Sequence, residues 1–197
     1  EKLTVKPDVD DFVEFRNYII ILLLLSTGAR RETIVNIRVG DVDLDEGYIT
    51  FNTLKAKKVI RLGLEKRLRQ ELTEYIAYWR SKDTSAVDYL FCSVYGEKLT
   101  VNGLNNTINK YHKSRGVDKT GLHRYRHTYA KNWLTSGGDI VSLSRVLNHS
   151  ELDMVKRYAN LYAEDVKAEI QEHSVLSQIK RKSGKTLATL RKEKSEY

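Results

Sequence analysis

The spacing of apolar side chains predicts a mainly helical protein. After Asp10 and Asp11, apolar residues recur at three- and four-residue steps until Thr27-Gly28, as in a helix that buries one face. The apolar positions of this first helix are Phe12, Phe15, Ile19, Leu22 and Leu23. The apolar run from Ile19 to Leu25 is far shorter than the roughly 20 residues that span a bilayer, so we expect it to be buried inside the protein.

The same periodicity predicts further helices along the chain. Their expected limits are about Arg31 to Ile37, Glu65 to Arg80, Val101 to Ser114, Leu122 to Thr135, Asp139 to Leu147, and Ala163 to about Lys180. One more helix is expected to begin at Ser150, because Ser150 and Asp153 have the spacing of a capping box. Tyr158 would lie inside that helix.

The segment from Asp41 to Leu64 has the pattern of β-structure instead. We expect one strand at Tyr48 to Phe51 and another at Val59 to Leu62, with a polar bend between them. The bend carries Lys55, Lys57 and Lys58. The expected fold class is therefore mainly α with a small antiparallel β-sheet.

The charge balance favours a polyanionic partner. The chain has 34 Lys and Arg against 26 Asp and Glu, which gives a formal net charge of +8. Each phosphate that a basic protein neutralises releases condensed counterions, so nucleic acid is one class of partner that fits. The single cysteine, Cys92, excludes an intramolecular disulfide and a cysteine-cluster zinc site, and it is consistent with a reducing cytoplasm.

Four short segments carry side chains suited to phosphate chemistry. They are Thr27-Gly28-Ala29-Arg30, the lysine-bearing bend, His123 to Ala130, and Leu147-Asn148-His149-Ser150 followed by Tyr158. His123 and Arg126 are three residues apart on a predicted helix, so their side chains share a face. Arginine offers a planar fork that matches phosphate oxygens. Taken singly, each segment also has an ordinary explanation: a glycine cap, a polar turn, a basic surface helix or a packed tyrosine.

Taken together and in this order, the segments resemble the tyrosine recombinase (phage integrase) family. That family shows Thr-Gly-x-Arg, a hairpin lysine, His-x-x-Arg-His-Thr, Leu-Gly-His, and a tyrosine nine residues after that last histidine. Tyr158 follows His149 at this nine-residue gap. The resemblance implies the tyrosine recombinase catalytic-domain fold for residues 1–162. Residues 163–197 would form a C-terminal helix and basic tail, and an N-terminal DNA-binding domain would lie outside this chain.

The resemblance also implies a reaction, the cleavage and rejoining of DNA without a metal or another cofactor. Arg30 and Arg126 would hold the scissile phosphate and stabilise the charge that develops on its oxygens. His123 and His149 would donate further hydrogen bonds there, and His123 would assist proton transfer at the nucleophile.

Two residues would carry the covalent step. Tyr158 would be the nucleophile and form a 3′-phosphotyrosyl bond, while Lys55 would protonate the departing 5′ oxygen. Lys57 and Lys58 lie close to Lys55 in sequence and are alternatives for this lysine. Otherwise Lys57, Lys58 and Arg124 would contact the DNA backbone.

The implied partner is double-stranded DNA at a specific site, bound by a homo-tetramer in the bacterial or phage cytoplasm, with no membrane association. The apolar stripe between Ala163 and Lys180 would dock on a neighbouring subunit or pack on its own domain. Mobile-element integration, excision and dimer resolution all fit this pattern.

The sequence departs from the family pattern at two places. The family has an acidic residue three positions after the first arginine, where this chain has Thr33, and Glu32 lies one position early. A supporting contact to the arginine is therefore expected to differ. Asn148 replaces the family's glycine before the late histidine, and asparagine also tolerates left-handed backbone.

Three other functions compete with a recombinase. A type IB topoisomerase would use nearly the same residues for the same chemistry. A DNA-binding module without catalysis would keep the basic surface and not need Tyr158. A helical protein-interaction domain would bury Tyr158 and leave the order of the motifs unexplained.

Overall fold

The structure is a computed structural model that describes residues 1–53, 58–80, 89–118 and 121–147. These residues form helices packed beside a three-stranded antiparallel sheet, which confirms the predicted fold class. The helices are α1 (Phe12–Thr27), α2 (Arg31–Ile34), α3 (Lys66–Tyr75), α4 (Val101–Ser114), α5 (His123–Thr135) and α6 (Ile140–Leu147). The strands are β1 (Val42–Asp43), β2 (Tyr48–Thr53) and β3 (Lys58–Gly63).

Helix α1 lies at the centre of the hydrophobic core. The Asp11 side chain caps its start by accepting a hydrogen bond from the Glu14 backbone N–H at 3.0 Å. Every residue from Phe15 to Leu24 is buried, because α3, α4 and α5 all contact this helix. The expectation of a single buried face is therefore wrong, and α1 is covered on all sides along these ten residues.

A buried arginine joins α1 to α4. Arg16 donates hydrogen bonds from its guanidinium to the Cys92 carbonyl at 2.6 Å and to Thr107 Oγ1 at 3.1 Å. Asn17 donates to the same Thr107 oxygen at 3.0 Å. Burial lowers the pKa of Arg16, and these neutral oxygens supply the hydrogen bonds that a buried charge requires.

The sheet has the order β1-β2-β3, and both pairings are antiparallel. The two predicted strands are present and each extends past its predicted limits. Phe51 on β2 pairs with Ile60 on β3. Ile49 and Phe51 are buried while Tyr48 and Asn52 are exposed, so one face of β2 packs on the core.

The predicted helix limits hold with two exceptions. The second helix ends at Ile34 and not Ile37, and a single 3₁₀ turn follows at Val39–Asp41. The third helix ends at Tyr75 and continues as a π-helical turn at Ile76–Arg80. No helix among the described residues is long and apolar enough to cross a membrane. The helices expected from Ser150 and Ala163, and the domain limit at 162, lie outside the described residues.

A buried hydrogen bond between His112 and Tyr125 joins α4 to α5. The His112 Nε2 atom lies 2.5 Å from the Tyr125 hydroxyl oxygen, and both residues are buried. The other ring nitrogen of His112 has no hydrogen-bond partner among the described residues. Burial lowers the pKa of His112 and raises that of Tyr125, so both groups are neutral in the folded domain near pH 7.

We predict that Tyr125→Phe lowers the free energy of unfolding by about 1–3 kcal/mol, because it leaves a buried His112 nitrogen unpaired. The double variant His112→Phe/Tyr125→Phe should lose less than the sum of the single variants, since it removes both polar partners. Urea unfolding of the four proteins at pH 7 measures this coupling. Strictly additive losses would contradict a direct interaction.

The same variants carry a pH prediction. Because the pKa of His112 is lower in the folded state than about 6.5 in the unfolded chain, protons bind the unfolded state first as the pH falls. The stability from neutral His112 is complete above about pH 6.5 and declines as the pH falls towards the folded pKa. The double variant should lose less stability between pH 7 and 5 than the parent. An equal decline in both proteins would contradict this assignment.

Candidate active site

A glycine turn ends α1 and starts the first motif. Gly28 has the left-handed backbone angle φ of 60°, and its N–H donates to the Leu24 carbonyl at 3.0 Å. A β-carbon at Gly28 would lie 2.8 Å from Tyr129 Cδ1 and 2.9 Å from Leu147 Cδ2. Both the backbone angle and the close approach of α5 and α6 therefore require glycine at this position.

The turn after Gly28 places Arg30 at the start of α2. The Thr27 hydroxyl donates to the Leu23 carbonyl at 2.6 Å and accepts from the Ala29 N–H at 3.3 Å, which fixes the path of the chain. Arg30 is half-buried with an extended backbone and is the N-cap residue of α2.

Arg126 is fixed by backbone carbonyls from two other elements. It is only 7% exposed on α5, yet it lines an open cleft. One terminal guanidinium nitrogen donates to the Gly28 carbonyl at 2.8 Å, and the other donates to the Leu147 carbonyl at 2.5 Å. This fork joins the end of α1, the first turn of α5 and the end of α6, so the position of the guanidinium is set by the backbone.

The cleft brings the two predicted arginines together. It is walled by α2, the β2–β3 pair, α5 and α6. Its described lining residues are Ala29, Arg30, Thr33, Phe51, Ile60, Arg126, Val146 and Leu147. Two cations and no carboxylate occur among them, and apolar side chains form the rest of the wall. Such a surface favours an anion with several oxygen atoms.

His123 begins α5, one helical turn before Arg126, and its side chain is exposed. It is not among the described residues that line the cleft, but its charge acts on Glu32 of α2. The pKa of the Glu32 carboxyl is lowered overall. Burial raises it, but this effect is outweighed by hydrogen bonds from Arg31 and the backbone and by the charges of Arg31 and His123.

The departure at Thr33 has a structural consequence. Thr33 lines the cleft, while the Glu32 carboxylate accepts a hydrogen bond from Arg31 Nε at 2.9 Å on the surface. The carboxylate that the family places three residues after the first arginine is replaced here by a neutral hydroxyl. No carboxylate therefore stands beside the two arginines among the described lining residues.

The structure describes only some of the remaining predicted site residues. Arg124 is exposed on the first turn of α5, and Lys58 begins β3. Lys55, Lys57, His149, Tyr158 and the side chain of Lys58 lie outside the described residues, so their roles stay predictions.

Sequence analysis missed several parts of the wall. Phe51 and Ile60 face the cleft because they are paired across the sheet with their side chains on the core side. Leu147 contributes its backbone carbonyl, and its side chain packs near Gly28. The motif Leu147-Asn148-His149 pointed to this segment, but a backbone contribution has no side-chain signal.

The Phage integrase family model matches residues 6–165, and the chain belongs to that family. Tyrosine recombinase XerC of Staphylococcus epidermidis is 29% identical over 154 residues, which is 74% of this chain and 49% of that relative. XerC of Thermodesulfovibrio yellowstonii is 29% identical over 166 residues, or 81% of this chain and 55% of the relative. The chain thus spans about half the length of the curated relatives it matches.

Solved structures agree with the fold. The crystal structure of XerA recombinase superposes with a TM-score of 0.69 at 26% identity, covering 86% of this chain and 65% of that one. The Tn1549 transposon integrase in complex with transposon right end DNA gives 0.66 at 19% identity, with 89% and 67% covered. XerH recombinase bound to its difH substrate gives 0.66 at 22%, with 83% and 47% covered. The last two likenesses concern the fold alone.

The fork of Arg126 predicts a difference between arginine and lysine. We expect Arg126→Lys to lower the free energy of unfolding by about 1–3 kcal/mol, because one ammonium group cannot replace both parallel hydrogen bonds in a buried position. The matched control is Arg124→Lys on the same helix, whose exposed side chain should change stability by no more than about 0.5 kcal/mol. Urea unfolding measures both, and equal effects would contradict a structural role for the fork.

Proposed function

We propose that this chain is the catalytic domain of a site-specific tyrosine recombinase, which cuts and rejoins DNA through Tyr158. One observation carries the proposal: Arg30 and Arg126, from motifs almost a hundred residues apart, line a single open cleft. The family membership and the likeness to XerC and XerA recombinases support it.

The cleft suits the transition state in which a nucleophile adds to a DNA phosphodiester. Arg126 is held by two carbonyls before any ligand arrives, so little reorganisation is needed when charge develops on the phosphate oxygens. Arg30 approaches from α2 and supplies the second cation. The apolar wall reduces the local dielectric and strengthens both interactions.

The sequence positions of Lys55 and His149 relative to described residues of the cleft support their proposed roles. Phe51 and Ile60 line the cleft, and β2 ends at Thr53, two residues after Phe51 and roughly 7 Å along the strand. Lys55 follows Thr53 by two residues in the sequence. His149 follows Leu147, whose carbonyl binds Arg126, by two residues, or at most about 7 Å of extended chain.

The proposed reaction is a transesterification. The Tyr158 oxygen attacks phosphorus as its proton leaves, with His123 assisting, and a 3′-phosphotyrosyl bond forms. The bond from phosphorus to the 5′ oxygen breaks, and Lys55 donates the proton that makes a 5′ hydroxyl. The attack of a 5′ hydroxyl reverses these steps, so the energy of the phosphodiester is kept and rejoining needs no ATP.

Positive charge would replace the metal ion that many nucleases use. Two arginines, two histidines and a lysine supply donors to the oxygens of the transition state and favour the phenolate form of a tyrosine whose ordinary pKa is about 10. Nearby Lys57, Lys58 and Arg124 would bind neighbouring DNA phosphates.

Double-stranded DNA at a specific site is the proposed substrate, with a homo-tetramer as the active assembly. XerH and the Tn1549 integrase were solved with their DNA. Residues 1–162 would form the catalytic domain. Residues 163–197 would form a C-terminal segment that is exchanged between neighbouring subunits.

The decisive experiment is capture of a covalent protein–DNA adduct in the presence of EDTA. The chain is incubated with a library of nicked duplexes whose core sequence is randomised, and the reaction is run on a denaturing gel. We predict an adduct with the parent chain and with Tyr162→Phe, a matched tyrosine four residues away. Tyr158→Phe should give none. Sequencing the attached strands identifies the preferred site.

The DNA-binding alternative predicts a different pattern. A chain that shifts duplex DNA in a native gel but gives no adduct with any library member would be a binding module without catalysis. An adduct that persists in Tyr158→Phe would assign the nucleophile to another residue.

A further inference from the structure

The chain that follows α2 continues from the cleft to Asn36 through a 3₁₀ turn. Arg30 and Thr33 line the cleft, and Asn36 comes three residues after Thr33. The Asn36 N–H donates to the Thr33 carbonyl at 3.0 Å, which is the hydrogen bond of a 3₁₀ turn. Side chains three residues apart lie above one another in such a turn, so Asn36 lies on the same face as Thr33, which lines the cleft together with Arg30.

Asn36 positions an exposed lysine from a distant part of the chain. Its side-chain nitrogen donates to the Glu32 carbonyl at 2.5 Å, which fixes the orientation of the amide. Its side-chain oxygen then accepts a hydrogen bond from Lys98 Nζ at 2.6 Å. The ammonium of Lys98 is therefore tied to the end of α2, on the side that leads from the cleft.

The second contact of this ammonium is an aromatic ring. Lys98 Nζ lies 4.7 Å from the centre of the Tyr89 ring, and the guanidinium carbon of Arg38 lies 5.2 Å from the same centre. Backbone bridges pair Arg38 with Tyr89 and Cys92 with Lys98, which places both cations around this ring. We call Arg38, Tyr89 and Lys98, with Asn36, the Lys98 cluster.

The Lys98 ammonium is positioned by neutral groups. Within the described ranges its contacts are an amide oxygen and an aromatic ring, and it forms no ion pair there. Lys6 is a useful contrast, because its ammonium lies 2.9 Å from Glu71 and 2.5 Å from Glu74. The Lys98 ammonium is therefore restrained in position by groups that do not neutralise its charge. Its side chain is also exposed, so an anion in solution can reach it.

We propose that Lys98 binds a backbone phosphate of DNA, close to the phosphate held in the cleft, with Arg38 as a second cation across the Tyr89 ring. This inference rests on the proposed function and extends its DNA surface. Six residues separate Arg30 from Asn36, or about 10 Å at the rise of a helical chain. One DNA strand carries a phosphate about every 3.4 Å of helix axis, so Lys98 would meet a phosphate a few nucleotides from the scissile one.

The contact is expected to contribute affinity without sequence preference. A lysine on a phosphate acts as a point charge and carries no base information, while each phosphate neutralised adds about 0.9 to the slope of log K against log salt concentration. Because Tyr89 and Asn36 restrain the side chain before DNA binds, less side-chain entropy is lost on binding.

The test compares Lys98→Gln with Lys113→Gln. Both remove one charge from an exposed lysine, but Lys113 lies on the last turn of α4, roughly 20 Å along the helix from the end near Lys98. Glutamine keeps a donor that can reach Asn36. The affinity of each variant for a fluorescent duplex of random sequence is measured by anisotropy at several salt concentrations.

We expect the salt slope of Lys98→Gln to be smaller than that of the parent by about 0.9, while Lys113→Gln keeps the parent slope. Lys98→Arg should also keep the slope. Tyr89→Leu should weaken binding while Tyr89→Phe, which retains the ring, should not. Equal slopes for Lys98→Gln and Lys113→Gln would overturn the proposal, as would a parent chain that does not bind DNA.

The adduct experiment separates this proposal from the proposed function. The salt slopes report the Lys98 contact, whereas the adduct reports the chemistry of Tyr158, so the two proposals can fail independently. A parent chain that binds DNA with the predicted slopes but forms no adduct would refute the recombinase chemistry and leave the phosphate contact standing.

Discussion

The fork of Arg126 is the interaction on which the site depends. Its two hydrogen bonds run to the Gly28 and Leu147 carbonyls, and the close contact of Gly28 with Tyr129 and Leu147 brings the three elements together. The arginine that would bind phosphate is therefore also the residue that joins the ends of α1 and α6 to α5. A side chain with this double role cannot be replaced by another cation, because lysine lacks the planar fork.

Two cationic side chains of this domain, Arg126 and Lys98, are positioned by neutral groups. Arg126 is held by carbonyls, and Lys98 by an amide oxygen and a ring. Carboxylates would hold these side chains equally well, but they would neutralise the charge that a polyanion needs. The replacement of the family's acidic residue by Thr33, which lines the cleft, fits this pattern. Glu32 instead forms an ion pair with Arg31 on the surface.

The sequence alone predicted the helices and strands well because their signals are local. The limits of α4 at Val101 and Ser114 were predicted from apolar periodicity, and these limits are confirmed. The structure adds that the Thr100 side chain caps the helix by accepting a hydrogen bond from the Gly103 N–H. The all-round burial of α1 could not be predicted in the same way, since it depends on three helices that meet only in the fold.

For the site, the motif order predicted Arg30 and Arg126 as a pair, and the structure shows that both line one cleft. The motif order could not predict the groups that hold Arg126 or Lys98. The carbonyls of Gly28 and Leu147 belong to the backbone, which every residue has, and the partners of Lys98 lie nine and sixty-two residues away in the chain. Such contacts arise from packing and leave no spacing pattern in the sequence.

The most direct test of the account is a crystal structure of this chain, as Tyr158→Phe, bound to a duplex selected by adduct capture. We predict that one phosphate of the cleaved strand lies in the cleft, with its oxygens about 3 Å from the guanidinium nitrogens of both Arg30 and Arg126. The Gly28 and Leu147 carbonyls should still accept the Arg126 hydrogen bonds in that complex. A duplex bound with its phosphates away from this cleft, or with Arg126 released from both carbonyls, would contradict the central claim.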